Sequence, residues 1–177
     1  MRPGRCWTVG SVLAMAVLML ATLIVLCGCG SSAARQRTTP TALPTLGQSV
    51  GQLDRLVVSR TDAFPQNHLR FAFPGTVTVT DPTAVQSVAR ALCALPKMPS
   101  GTFHCPADFG ITYHLAFSAG ERQFPAVSID ATGCETVRGL GTTRWVTTSP
   151  GFWHTLGMAI GLAKPDYATF MGSWPTN

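Results

Sequence analysis

Charge is scarce in this sequence. Only 12% of its 177 residues are Asp, Glu, Lys or Arg, and the basic ones form neither a cluster nor a stripe. The net charge of +5 therefore makes no case for a nucleic-acid partner, which needs concentrated Lys and Arg. Much of that excess sits at the N-terminus, in Arg2, Arg5, Arg35 and Arg37, and the remainder is close to neutral. Metal-ligand spacing is missing too. There is no C-x-x-C and no H-x-x-x-H, so His104, Cys105 and Cys134 make a poor zinc set. Gly139-Leu140-Gly141 is too short for a dinucleotide loop, and no helix pattern comes directly after it. No internal repeat is visible. The sequence thus implies no metal, no cofactor and no catalytic residue.

What it does have is one long apolar run at the start. Arg2 and Arg5 precede residues 9–25, which carry no charge, and the run ends in Leu26-Cys27-Gly28-Cys29. A positive n-region, an apolar core and a small residue before the cut make an export signal. Leu, a small residue and Gly before a Cys is the pattern of a bacterial lipobox, whose Cys receives a diacylglyceryl thioether. Cleavage before Cys29 puts Gly28 at the cut, whereas cleavage before Cys27 would put bulky Leu26 there. The alternative is an uncleaved membrane helix, since the run is about long enough to span a bilayer. Arg35 and Arg37 on the far side leave orientation by charge undecided. A spanning helix, however, gives no reason for Leu-x-Gly-Cys at its end. Both readings put the C-terminal part of the chain outside the cytoplasm, at the cell membrane. One acyl chain binds a membrane marginally and two hold it; a diacylglyceryl group supplies two.

The organisation expected is a signal peptide over 1–28, a lipidated flexible tether over 29–50 and one extracytoplasmic domain over 51–177. The tether is mostly Ser, Thr, Ala and Pro, with little to bury. In the domain, alternation predicts strands over 53–61, 69–73, 76–80, 111–118 and 124–131, with short ones over 136–138 and 143–147. Asp81-Pro82 opens a helix, Asp as N-cap and Pro at N1, running to about Ala94 before Pro96. Ser149-Pro150 opens a second, ending near Leu162. Hairpin-linked strands and two helices, each with one apolar face, predict an α+β fold: an antiparallel sheet with two helices packed on it.

Cys6 and Cys27 leave with the signal and Cys29 carries lipid, so Cys93, Cys105 and Cys134 remain. If the 111–131 hairpin turns near Gly120, facing residues sum to about 240, which brings Cys105 and Cys134 to its open end. That pair is the expected disulfide in an oxidising compartment; Cys93 is then a buried helix thiol. A Cys93–Cys105 bridge closes a shorter loop and is the alternative. Asp108 and Asp130 approach the same hairpin base, where two carboxylates can share acid–base work; the plainer reading is turn acids bonding nearby amides. His114 reads as a surface residue, His68 as a loop residue and His154 as a helix residue. Tyr167, Phe170 and Trp174 in the tail cover a sheet edge or form an exposed patch.

Phe73-Pro74, Cys93-Ala94-Leu95-Pro96, Cys105-Pro106-Ala107-Asp108, Tyr113-His114-Leu115-Ala116-Phe117, Gly133-Cys134 and Phe152-Trp153 resemble the pattern of small uncharacterised exported lipoproteins of high-GC Gram-positive bacteria. The likeness runs over about 53–162. It implies an exported domain with a Cys-stabilised sheet and transfers no activity. The expectation is a membrane-anchored lipoprotein acting as a non-enzymatic binding or interaction module, whose sheet face or tail aromatics meet a protein, a cell-wall component or a small ligand. Two other readings are an extracytoplasmic hydrolase using Asp108, Asp130 or a His, and a protease-inhibitor-like domain presenting the loop over 96–106.

Overall fold

The computed structural model describes residues 45–147 and 149–175. The expected signal peptide, the lipidation site Cys29 and most of the tether lie outside the described residues. Within them the fold is α+β. Seven strands form one antiparallel sheet: β1 (Arg55–Asp62), β2 (Thr76–Val79), β3 (Ile111–Ala119), β4 (Arg122–Gln123), β5 (Val127–Asp130), β6 (Thr136–Arg138) and β7 (Arg144–Trp145). Their order is β2-β1-β3-β5-β6-β7, with β4 extending the hairpin from β3. β2 and β3 both run antiparallel to β1, so they are parallel to each other. Joining them needs a crossover, which the helix α1 (Pro82–Ala94) provides.

Alternation decides which face is buried. Val79, Leu56 and Phe117 lie in one cross-strand row, and Val58, Leu115 and Val127 in the next. Tyr113, Ile129 and Val137 make a third row. Nearly all are fully buried. Their neighbours in sequence, among them Ser59, His114, Ser128 and Arg138, share the opposite, polar face. The helices close the apolar face through Val85, Val88, Ala89 and Leu92 of α1 and through Phe152, Trp153 and Leu156 of α2 (Pro150–Ala159).

Local chemistry sets the helix ends. Asp81 accepts the Thr83 and Ala84 amides at 3.0 and 3.4 Å, and Pro82 sits where no amide is needed. Ser149 is the N-cap of α2 but makes no side-chain cap bond; Pro150 alone sets that start. The helix stops at Ala159, short of the expected Leu162. Gly161, at φ +86°, bonds Met158, while Leu162 bonds back to Gly157. This pair of bonds is a Schellman closure, which suits Gly at the left-handed position. The chain then doubles back so that Pro165 lies on Gly157.

Three expectations fail in instructive ways. Residues 69–73 form no strand. Arg70 exchanges backbone bonds with Ser173 at 2.9 and 2.8 Å, and Phe71 and Phe73 leave the sheet pattern for an aromatic cluster. The tail holds a third helix, α3 (Tyr167–Met171), capped by Asp166. The end of the expected tether is folded: Leu46–Gln52 is a 3-10 helix with Leu46 and Ser49 buried. Gln86 fastens its end by donating to the Gly51 and Leu53 carbonyls.

The tail aromatics are mostly core. Phe170 packs on Trp153 at 4.8 Å and on Tyr113 and Phe73 at 5.5 Å between centroids. The Tyr113 hydroxyl donates to the Phe170 carbonyl at 2.8 Å. Only Trp174 of the tail stands out, half exposed, edge-on to Phe109.

A β-carbon on Gly157 would lie 2.0 Å from Pro165 Cβ and 3.3 Å from Pro165 Cα. At an open helical site, Gly→Ala stabilises by up to about 1 kcal/mol. Gly157→Ala is expected to do the reverse, by about 1–3 kcal/mol, through overpacking. Thermal denaturation checks the sign; an unchanged or raised midpoint contradicts this packing.

Both tyrosines of the chain ionise well above the ordinary value of 10.0. Burial is the main cause at each, opposed at Tyr113 by Arg60 and reinforced at Tyr167 by Glu135. Below about pH 10 folded and unfolded chains are both protonated there, and stability is unaffected. Above it the unfolded chain releases protons that the folded chain keeps, so stability falls as pH rises. Tyrosinate absorbance is expected to be absent near pH 10 and to appear at higher pH, together with loss of the fold. A half-titrated signal near 10 in the folded protein contradicts the burial.

Candidate functional site

The residues that chemistry would single out first are spent on structure. Asp108 accepts the Gly110 amide at 2.8 Å and the Thr132 hydroxyl at 2.6 Å, and Thr132 in turn accepts the Phe109 amide. It is the turn acid of the loop before β3. Asp130 lies on the polar face of the sheet, bonded by Thr112, Thr136 and Arg138. No hydrogen bond joins the two carboxylates, and neither lines either of the two cavities described below. His114 faces Thr61 on the same polar face. His154 Nδ1 lies 3.3 Å from the Pro165 carbonyl, and His104 is exposed. Among the described residues no three His, Cys, Asp or Glu side chains converge in metal-ligand geometry.

Cys105 and Cys134 are joined, with their Cα atoms 4.8 Å apart. The hairpin arithmetic holds with a small slip. Facing residues sum to 241 beside the turn, as at Ala119 and Arg122, and to 242 from Leu115 and Val127 onward. The extra residue falls at Pro125-Ala126, a bulge where proline has no amide to give the ladder. The loop expected over 96–106 is not free-standing. Pro96 and Met98 exchange backbone bonds with Trp145 and Thr143, Phe103 packs on Trp145, and the disulfide holds Cys105.

One pattern escapes a reading guided by strands and helices. Gly47-Gln48-Ser49-Val50-Gly51 has G-x-S-x-G spacing. A nucleophile elbow exposes its serine on a strand-to-helix turn. Here the segment is a 3-10 helix and Ser49 is 2% exposed, so the spacing builds no nucleophile. Glu135 was equally unmarked. It is buried at φ +49°, and its Oε1 lies 2.9 Å from the Tyr167 hydroxyl, which is also 3.0 Å from the Ala131 carbonyl. This link fastens α3 to the sheet.

The cavity that these elements leave has about 450 Å³ and lies at the edge of the core. Its wall comes from five separate segments: Thr45, Leu46 and Gly47; Cys93 of α1; Arg122 to Pro125 after the hairpin turn; Gly139-Leu140-Gly141; and Arg144 of β7. Gly139 makes the fit possible. At φ +99° its absent β-carbon would stand 2.5 Å from the Ala126 carbonyl oxygen, so only glycine lets this loop close on the bulge. The lining is mainly apolar and includes no carboxylate. Arg144 Nη1 donates to the Leu95 carbonyl, while its Nε is buried without a partner. Cys93 is a free, half-buried thiol in this wall rather than a fully buried one. A second, more open cavity of about 270 Å³ lies between α1 and α2, beside His154 and Met158.

Comparison of the chain with protein-family models, with curated proteins and with solved structures finds no match.

In the folded, unreduced chain a small thiol reagent is expected to modify Cys93, while a digest carries Cys105 and Cys134 as one joined pair of peptides. Mass mapping reads both at once. A Cys93–Cys105 peptide, or a Cys93 inert until denaturation, contradicts this assignment.

Proposed function

We propose that this chain is a membrane-anchored bacterial lipoprotein, lipidated on Cys29, whose extracytoplasmic domain is a non-enzymatic binding module. The observation that carries the binding half is the cavity. Its volume falls within the range of small-molecule sites, and its lining has their character: apolar walls with a few polar groups. The two carboxylates singled out for acid–base chemistry are engaged elsewhere: Asp108 in its turn and Asp130 with sheet neighbours. A pocket that binds and does not react is the simplest use of such a wall.

The anchor rests on Leu26-Cys27-Gly28-Cys29 behind an uncharged apolar run. The Cys105–Cys134 bond supports the compartment, because disulfides persist where thiols oxidise. Among the described residues no helix is long and apolar enough to cross a membrane.

Growth with a radioactive fatty acid tests the anchor. The native chain is expected to take up label and sediment with membranes; Cys29→Ala is expected to lose the label. Label retained by Cys29→Ala, or native protein found unlabelled in the medium, overturns the reading.

A further inference from the structure

We infer that the cavity beside Cys93 takes a single long acyl chain with an ionised carboxylate, a membrane-derived fatty acid, whose head group meets Arg122 and Arg144. The inference rests on the proposed binding role and names its ligand. Three observations carry it.

The first is charge. Two arginines line a wall that has no acid, and the one ion pair found among the described residues is Arg138 with Asp130, elsewhere on the sheet. Arg144 is half-buried, and its guanidinium bonds the Leu95 carbonyl but no anion. A guanidinium charge beside an apolar wall that carries no carboxylate is left without a counter-ion. An anion in the cavity supplies one, and Arg122, exposed at the hairpin turn, adds a second charge for it.

The second is shape. Leu46, Phe124, Pro125 and Leu140 give the lining its apolar character. At about 450 Å³ the space is near the small end of ligand sites and accommodates one chain rather than a two-chain lipid. Burying each methylene contributes about 0.8 kcal/mol, so a chain is the part of an amphiphile that this wall selects.

The third is place. Thr45, Leu46 and Gly47 are both the first described residues and part of the cavity wall. The chain toward Cys29 therefore leaves from the rim of the site. The 16 residues from Cys29 to Pro44 reach at most about 55 Å when fully extended. A tether of that reach, lipidated as proposed, keeps the cavity within a few nanometres of a leaflet from which a fatty acid partitions.

The test uses the mature, lipidated protein in phosphatidylcholine vesicles and two photoreactive probes. One is a long-chain fatty acid carrying a diazirine, the other the matching alcohol. After irradiation, mass mapping locates the label. The acid is expected to label peptides containing Phe124 and Leu140 about tenfold more than the alcohol, the effect of one charge-assisted pairing. Arg122→Met and Arg144→Gln are each expected to shrink that preference while leaving alcohol labelling in place. Arg122 is exposed, so its replacement keeps the test open if Arg144→Gln fails to fold. Leu140→Trp is expected to fill the cavity and abolish both signals. Equal labelling by acid and alcohol, or a preference unchanged in both arginine variants, overturns the fatty-acid assignment and leaves a binding cavity standing. Labelling that appears only once Cys29→Ala removes the protein's own lipid overturns it as well, in favour of the anchor chain as occupant. No labelling of those peptides by either probe, or labelling indifferent to Leu140→Trp, overturns the binding reading itself.

Discussion

The buried contact between Tyr113 and Phe170 organises this molecule. Tyr113 sits near the start of β3, the strand that pairs with both β1 and β5. Its ring meets Phe73, Trp153 and Phe170, which belong to the connection after β1, to α2 and to α3. One side chain thereby joins four segments scattered along the sequence. Aromatic pairs at such distances add specificity to the area they bury. The hydroxyl would be a liability in that setting, since a buried polar group without a partner costs more than a satisfied one contributes. The Phe170 carbonyl at 2.8 Å removes the liability and fixes where α3 docks. The position of α3 in turn settles Tyr167 on Glu135 and Ser173 on Arg70.

Such an arrangement separates the firm part of the domain from the accommodating part. The aromatic cluster packs closely, and Gly157 is pressed against Pro165. The cavity lies among segments held by other means: a 3-10 turn, a hairpin bulge, a Gly-Leu-Gly loop and a two-residue strand. These carry fewer ladder bonds, and segments of that kind open at lower free energy than core strands. A wall made of them can shift without disturbing the sheet.

How much of this was legible depends on whether the signal is local. Asp81-Pro82 announces α1 because cap chemistry acts within one turn. The alternation over 111–118 announces β3 because burial on one face has period two. The disulfide was legible because hairpin register is arithmetic, and a one-residue bulge does not move Cys105 beyond reach of Cys134. Residues 69–73 deceived because Phe71 and Phe73 alternate for the sake of an aromatic cluster, not a ladder. The segment over 46–52 looked like tether because Gly, Gln and Ser carry no helical stripe; Leu46 and Gln86 hold it through tertiary contact. The cavity was illegible altogether. Its wall joins positions from 45 to 144 that share no motif, and Gly139 matters there only for what its missing β-carbon would strike.

The sheet also ends abruptly on both sides. β2 has four residues between Pro74-Gly75 and Asp81-Pro82, and its outer partner positions carry Thr76 and Thr78. β7 has two, and Lys97 already bridges to Arg144 beside it. Long bare edges are what let neighbouring molecules stitch their sheets into fibrils. Brevity, flanking prolines and an occupied border deny that route to copies of this domain, even where many stand shoulder to shoulder.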